Sequence, residues 1–176
     1  MILGLDISTS ITGATVIDEN GKVIHNEAWD LRKYKEFFQK AEIVKGKICE
    51  LEDTFLIKEV YIEQSLQSFR SGFSSAKTLS TLSRFNGVVS WLCYDILKLK
   101  PEYIAATSAR KKCGIKVPKG TKAKQVIIQY VLDNVPSVLI EYTKHGNPKP
   151  YCFDKADSWV IAKAGYICQM EKSAQS

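Results

Sequence analysis

The chain has 176 residues, 45% hydrophobic and 25% charged, which suits one buried core and leaves little room for a second domain. Those values exclude a disordered, collagen-like or coiled-coil chain. Lys and Arg number 25 against 19 Asp and Glu, a net charge of +6, and the excess is local. Arg110, Lys111, Lys112, Lys116, Lys119, Lys122 and Lys124 follow one another with no acid between them; the remainder carries 18 positive and 19 negative charges. A near-neutral body with one basic face suits a polyanionic partner.

The five cysteines (Cys49, Cys93, Cys113, Cys152, Cys168) are an odd number and none lies in a C-x-x-C spacing. Neither a disulfide framework nor a zinc knuckle is expected. The opening Met1-Ile2-Leu3-Gly4-Leu5-Asp6 has no basic segment and does not read as a signal peptide. The longest apolar stretch, residues 88–99, is broken by Asp95 and Lys98 and is too short to span a bilayer. The expectation is a cytoplasmic protein with no membrane association.

In chain order, residues 2–8 read as a buried strand, 11–18 as a second, and 22–31 as a third after an Asp18-Glu19-Asn20-Gly21 turn. Short turns between consecutive strands predict an antiparallel meander. Phe37, Phe38, Ala41, Val44, Ile48 and Leu51 have the spacing of an amphipathic helix over 34–51. A fourth strand is expected at 59–64, then a Ser- and Gly-rich loop at 65–75 and a long helix to about residue 99, stopped by Pro101. A short fifth strand over 103–107 leads into a basic loop, a helix over 122–134, an irregular stretch at 135–153, and a helix over 154–170. The order β-β-β-α-β-α-β-α-α predicts an α/β sandwich: a mixed sheet, its first three strands antiparallel, flanked by helices. Residues 1–170 are expected to form one domain and 171–176 a flexible tail.

Four acids carry the chemistry. Asp6 and Glu63 close the first and fourth strands, where functional groups collect in α/β sheets. Two acids on neighbouring strands would repel unless a cation lay between them, and a hard divalent ion suits oxygen ligands. Asp154 and Asp157 share one face of the last helix. Taken alone they fit helix capping better than catalysis, because acids in a first turn complement the helix dipole.

Together the segments match a family. Gly4-Leu5-Asp6-Ile7-Ser8 with Thr12-Gly13-Ala14-Thr15-Val16 resembles the first hairpin of the RNase H-like superfamily in its RuvC-type Holliday-junction resolvase branch. Ile62-Glu63-Gln64 resembles that family's second motif, whose Glu binds metal. Ala106-Thr107-Ser108-Ala109-Arg110-Lys111 with Lys124-Gln125-Val126 resembles its basic motif, and the family's positioning lysine falls on Lys124. Asp154-Lys155-Ala156-Asp157-Ser158 with Ile161-Ala162 resembles its closing helix. The resemblance implies an RNase H-like fold and a structure-selective endonuclease. Four-way DNA would be resolved by paired phosphodiester hydrolysis in DNA recombination and repair. Asp6, Glu63, Asp154 and Asp157 would be catalytic metal ligands. The serine-rich loop, Lys155 between the two acids and the apparent insertion at 135–153 depart from the family and point to a viral or divergent member, working then in a host cytoplasm.

The chemistry agrees with this resemblance. Two Mg²⁺ ions about 3.5–4 Å apart would activate water and stabilise the leaving oxygen, with Mn²⁺ expected to substitute. Histidine schemes have little material in His25 and His145. Lys124 is expected to offset charge in the transition state as a catalytic group. Arg110, Lys111, Lys112, Lys116, Lys119 and Lys122 are expected to bind DNA, as are Phe69, Arg70 and Phe73 of the loop after Glu63, where a ring suits unstacked bases at a junction. Paired nicks call for a homodimer, with Leu79, Leu82, Phe85, Val89, Leu92 and Ile96 offering apolar surface. Three other readings compete. One is another RNase H-like nuclease acting on RNA–DNA hybrid or precursor RNA. An actin-like ATPase fragment is disfavoured because no second phosphate loop is present. A non-enzymatic DNA-binding domain is disfavoured by the four acids.

Overall fold

The apolar, β-branched opening of the chain builds the sheet. In the computed structural model, which describes residues 1–64 and 75–175, β1 (Ile2–Asp6), β2 (Ile11–Ile17) and β3 (Val23–Asp30) form the antiparallel meander. α1 (Phe37–Thr54) crosses over to β4 (Glu59–Glu63), which returns parallel to β1. α2 (Ala76–Leu97) then leads to β5 (Glu102–Ile104), parallel to β4. The sheet order is β3-β2-β1-β4-β5. β1 lies at its centre and reads as an unbroken apolar run because both of its faces are covered.

Alternate residues of the strands feed two cores. Leu3, Leu5, Val16, Val60 and Ile62 meet Val44, Ile48, Phe85 and Val89 of α1 and α2 on one face. Ile2, Ile17 and Tyr61 meet Ile127, Val131, Trp159 and Ile161 on the other. That second face is covered by α3 (Ala106–Lys112), α4 (Ala123–Asn134) and α5 (Pro150–Ala174).

Two sequence expectations are corrected here. The fifth strand stops at Ile104, and the segment read as basic loop begins with α3, which carries Arg110, Lys111 and Lys112 in its last turn. Basic residues at a helix C-terminus complement its dipole, and buried Ala109 anchors the turn to the core. The last helix starts at Pro150 and continues to Ala174. Pro150 occupies its first turn, where a missing N–H costs nothing.

Candidate active site

Asp6 and Glu63 end adjacent parallel strands, one step beyond the paired Leu5 and Ile62. Their carboxylates therefore leave the sheet at the same edge. On its other side Asp6 pairs with Gly13 of β2. A Cβ on Gly13 would lie 2.0 Å from the Asp154 carbonyl oxygen, so only glycine lets α5 come this close. Gly4 plays the same part lower down, where a Cβ would meet the Ala162 backbone nitrogen at 2.3 Å. These two glycines seat α5 on β1 and β2 and bring Asp154 beside Asp6. Asp157 follows one turn along α5, on the same side.

The helix-capping account of the last two acids does not hold. The N-cap of α5 is Lys149, and its first turn contains no acid. Asp154 is the fifth helical residue and Asp157 the eighth. Buried polar contacts fix this turn instead. Thr15 Oγ1 and Ser158 Oγ are 2.8 Å apart, and Ser158 Oγ donates to the Lys155 carbonyl at 2.9 Å. Asn26 Nδ2 donates to Thr15 Oγ1 at 2.7 Å and to the Lys155 carbonyl at 3.0 Å. Lys155, read above as a departure from the family, points away from the acids: its Nζ donates to the Leu139 carbonyl at 2.8 Å. At the other strand, Asn86 of α2 donates to the Glu63 carbonyl at 3.2 Å.

The four acids share one electrostatic environment. Burial, then the charges of Glu63, Asp157 and Asp154, hold the Asp6 carboxyl well above the usual carboxylate range, with Lys124 opposing. Burial and Asp157 push Glu63 up to about 7 against Arg110 and Lys124. Burial raises Asp157 to about 6, with Lys124 and Arg110 opposing and Asp154 reinforcing. Asp154 is raised by burial, again against Lys124. Lys124 is thus the cation common to all four. The donor set is hard oxygen with surplus negative charge, which fits a divalent cation such as Mg²⁺. The side chains do not stand as a finished cage: among the described residues no three His, Cys, Asp or Glu form a group that could hold a metal ion.

The basic residues divide. Arg110 acts on Glu63 and Asp157, and with Lys111 and Lys116 it lines a cavity of about 300 Å³ beside the acids' edge. Lys119 and Lys122 are exposed. Lys112 goes elsewhere. Its Nζ pairs with Glu171 at 2.6 Å, 14 residues along α5 from Asp157 and so roughly 21 Å from it. Phe69, Arg70 and Phe73 lie outside the described residues. The sequence reading missed Arg32, whose charge acts on Asp154 from the end of β3 and which pairs with Asp30. It also missed Asn26, which no sequence signal marks, and it quoted Ser158 in the closing-helix motif without a contact for it; both matter through the β2–β3–α5 contact.

No protein-family model matches the sequence, and no curated protein matches it. Solved structures do match. A Thermus thermophilus RuvC in complex with Holliday junction substrate superposes with a TM-score of 0.66 at 14% identity, covering 96% of this chain and 94% of that one. Another Thermus thermophilus RuvC structure gives 0.63 at 14% identity, covering 97% and 96%. The yeast mitochondrial Holliday junction resolvase Ydc2 gives 0.65 at 15% identity, covering 98% and 80%. A five-stranded mixed sheet, helices on both faces and near-complete superposition lead to one conclusion: this chain has the RuvC-type RNase H-like fold.

Proposed function

We propose that this protein is a metal-dependent, structure-selective endonuclease that resolves four-way DNA junctions. The observation that carries the reading is the meeting of Asp6 and Glu63, at the ends of adjacent strands, with Asp154 and Asp157 of α5 under the shared influence of Lys124. The similarity to a RuvC solved with a Holliday junction supports branched DNA as the substrate. Asp6, Glu63, Asp154 and Asp157 would hold one or two Mg²⁺ ions, or Mn²⁺ in their place. Bound there, such ions activate water and stabilise a leaving oxygen. Lys124 offsets negative charge developing on the phosphorus oxygens, and Arg110 orients the phosphate from the Glu63 side. Lys111, Lys116, Lys119 and Lys122 carry the flanking backbone. Residues 1–170 act as one nuclease domain in the cytoplasm.

Two symmetric nicks call for two copies. The long helix expected to supply the apolar surface serves both core and exterior, with Leu79, Leu82 and Ile96 half-buried. Phe85, Val89 and Leu92 are buried in the core, whereas Trp91 is exposed. Trp91, Val88 and Gly87 of α2 with Phe37 and Phe38 of α1 line an apolar groove of about 670 Å³. A second copy seated on that groove would form the homodimer. The deciding experiment incubates the protein with labelled four-way junction, linear duplex and RNA–DNA hybrid, in Mg²⁺ and in EDTA. Paired, Mg²⁺-dependent cuts in the junction alone are the expected result. Preferential cutting of the hybrid would move the protein to the ribonucleases of the same fold.

A further inference from the structure

A cavity of about 400 Å³ opens where the first turns of α4 and α5 meet. Its lining is Lys122, Lys124 and Gln125 from one helix start, and Pro150, Phe153 and Asp154 from the other. Lys124 and Asp154 also belong to the carboxylate site, so the cavity adjoins the place where a phosphate would be cut. Apart from Lys122, the remaining walls are not what a phosphate needs. Phe153, half-buried, and Pro150 supply an apolar surface. Gln125 is exposed, and among the described residues its side-chain amide has no hydrogen-bond partner. An aromatic plane, a free amide with one donor and one acceptor edge, and adjoining lysines match a nucleobase attached to its phosphate. The volume lies within the range of small-molecule sites, about 300–1,000 Å³.

We propose that this cavity receives the nucleobase next to the phosphate to be cut, stacked on Phe153 and read at its edge by Gln125. The two residues then set which sequences at a branch are cleaved. The inference rests on the nuclease reading above and adds to it the source of sequence preference. Stacking on an aromatic ring tolerates any base, so Phe153 supplies binding and little selection. A glutamine amide pairs best with adenine, which offers an acceptor and a donor side by side. The preferred base in the cavity is therefore adenine.

The test uses a junction library randomised around the crossover, cut in Mg²⁺ and read by sequencing the product ends. The expected result is about a tenfold preference for adenine at one fixed distance from the cut, flattened in Gln125→Ala. Phe153→Leu keeps the bulk and removes the stacking plane; it should slow cutting at that register for every base while leaving the order of preference. A second readout needs no cutting. In EDTA, 2-aminopurine placed at that register should be quenched on binding the unaltered protein and several-fold less on binding Phe153→Leu. An identical preference profile in Gln125→Ala, or equal quenching in Phe153→Leu, overturns the proposal. If the unaltered protein cuts no junction, the nuclease reading fails, and quenching is measured on whichever nucleic acid the protein binds.

Discussion

At the residue scale, the proposed chemistry rests on four acids and one lysine. Asp6→Asn or Glu63→Gln should abolish cleavage, because a neutral amide removes ligand charge, while gel-shift affinity for a junction persists because the basic face is untouched. A fully active Asp6→Asn variant would refute the assignment. The same acids make the metal-free protein sensitive to pH. Asp6, Glu63 (about 7) and Asp157 (about 6) lie above ordinary carboxylates, near 4. Between about pH 4 and 7 the native state therefore binds more protons than the unfolded state, and stability falls as pH rises. Urea melts in EDTA should show this fall through the range in which Asp157 and Glu63 titrate, on the order of a few kcal/mol. Mg²⁺ competes with those protons, so added Mg²⁺ should reverse the loss at pH 8 and do little at pH 5; a flat profile in EDTA would count against a shared site.

At the element scale, the position of α5 depends on atoms that are missing rather than present. Gly13→Ala forces a Cβ against the Asp154 carbonyl and should cost about 1–3 kcal/mol in urea unfolding, with weakened Mg²⁺ binding by calorimetry because Asp154 moves. Unchanged stability would mean that α5 shifts freely. Much of this was legible beforehand. The meander, the two crossover strands and the acids that end β1 and β4 follow from alternation, β-branching and the cost of burying a carboxylate in an apolar run. What stayed hidden has physical reasons. α3 is seven residues long and ends in Arg110-Lys111-Lys112, a charge run that reads as solvated loop. Pro150 looks like a breaker although it begins α5, and that made Asp154 look like a cap. Arg32 and Asn26 gain their meaning only when β3 meets α5, a contact over more than 120 residues of sequence that no local pattern encodes.

At the scale of the molecule, the basic residues of 110–124 and the α2 groove lie on opposite faces of the sheet. Junction binding should weaken steeply with salt, each neutralised phosphate adding about 0.9 to the log–log slope. Replacing Lys111, Lys116 and Lys119 together by alanine should flatten that slope. Lys112→Ala should leave it nearly unchanged, because Lys112 is committed to Glu171. Equal effects from both variants would place the DNA on another face. On the opposite side, Trp91→Glu should convert a sedimenting dimer into a 19.8 kDa monomer if the α2 groove joins two copies. The dependence on α5 also bears on synthesis. The strand carrying Asp6 emerges from the ribosome well before the helix that completes the cluster. Chains that extend past Lys124 but end before Asp157 carry the basic segment without a full set of acids. On the proposed reading such a chain would hold a nucleic acid without cutting it, and cutting capacity would arrive only once α5 is made.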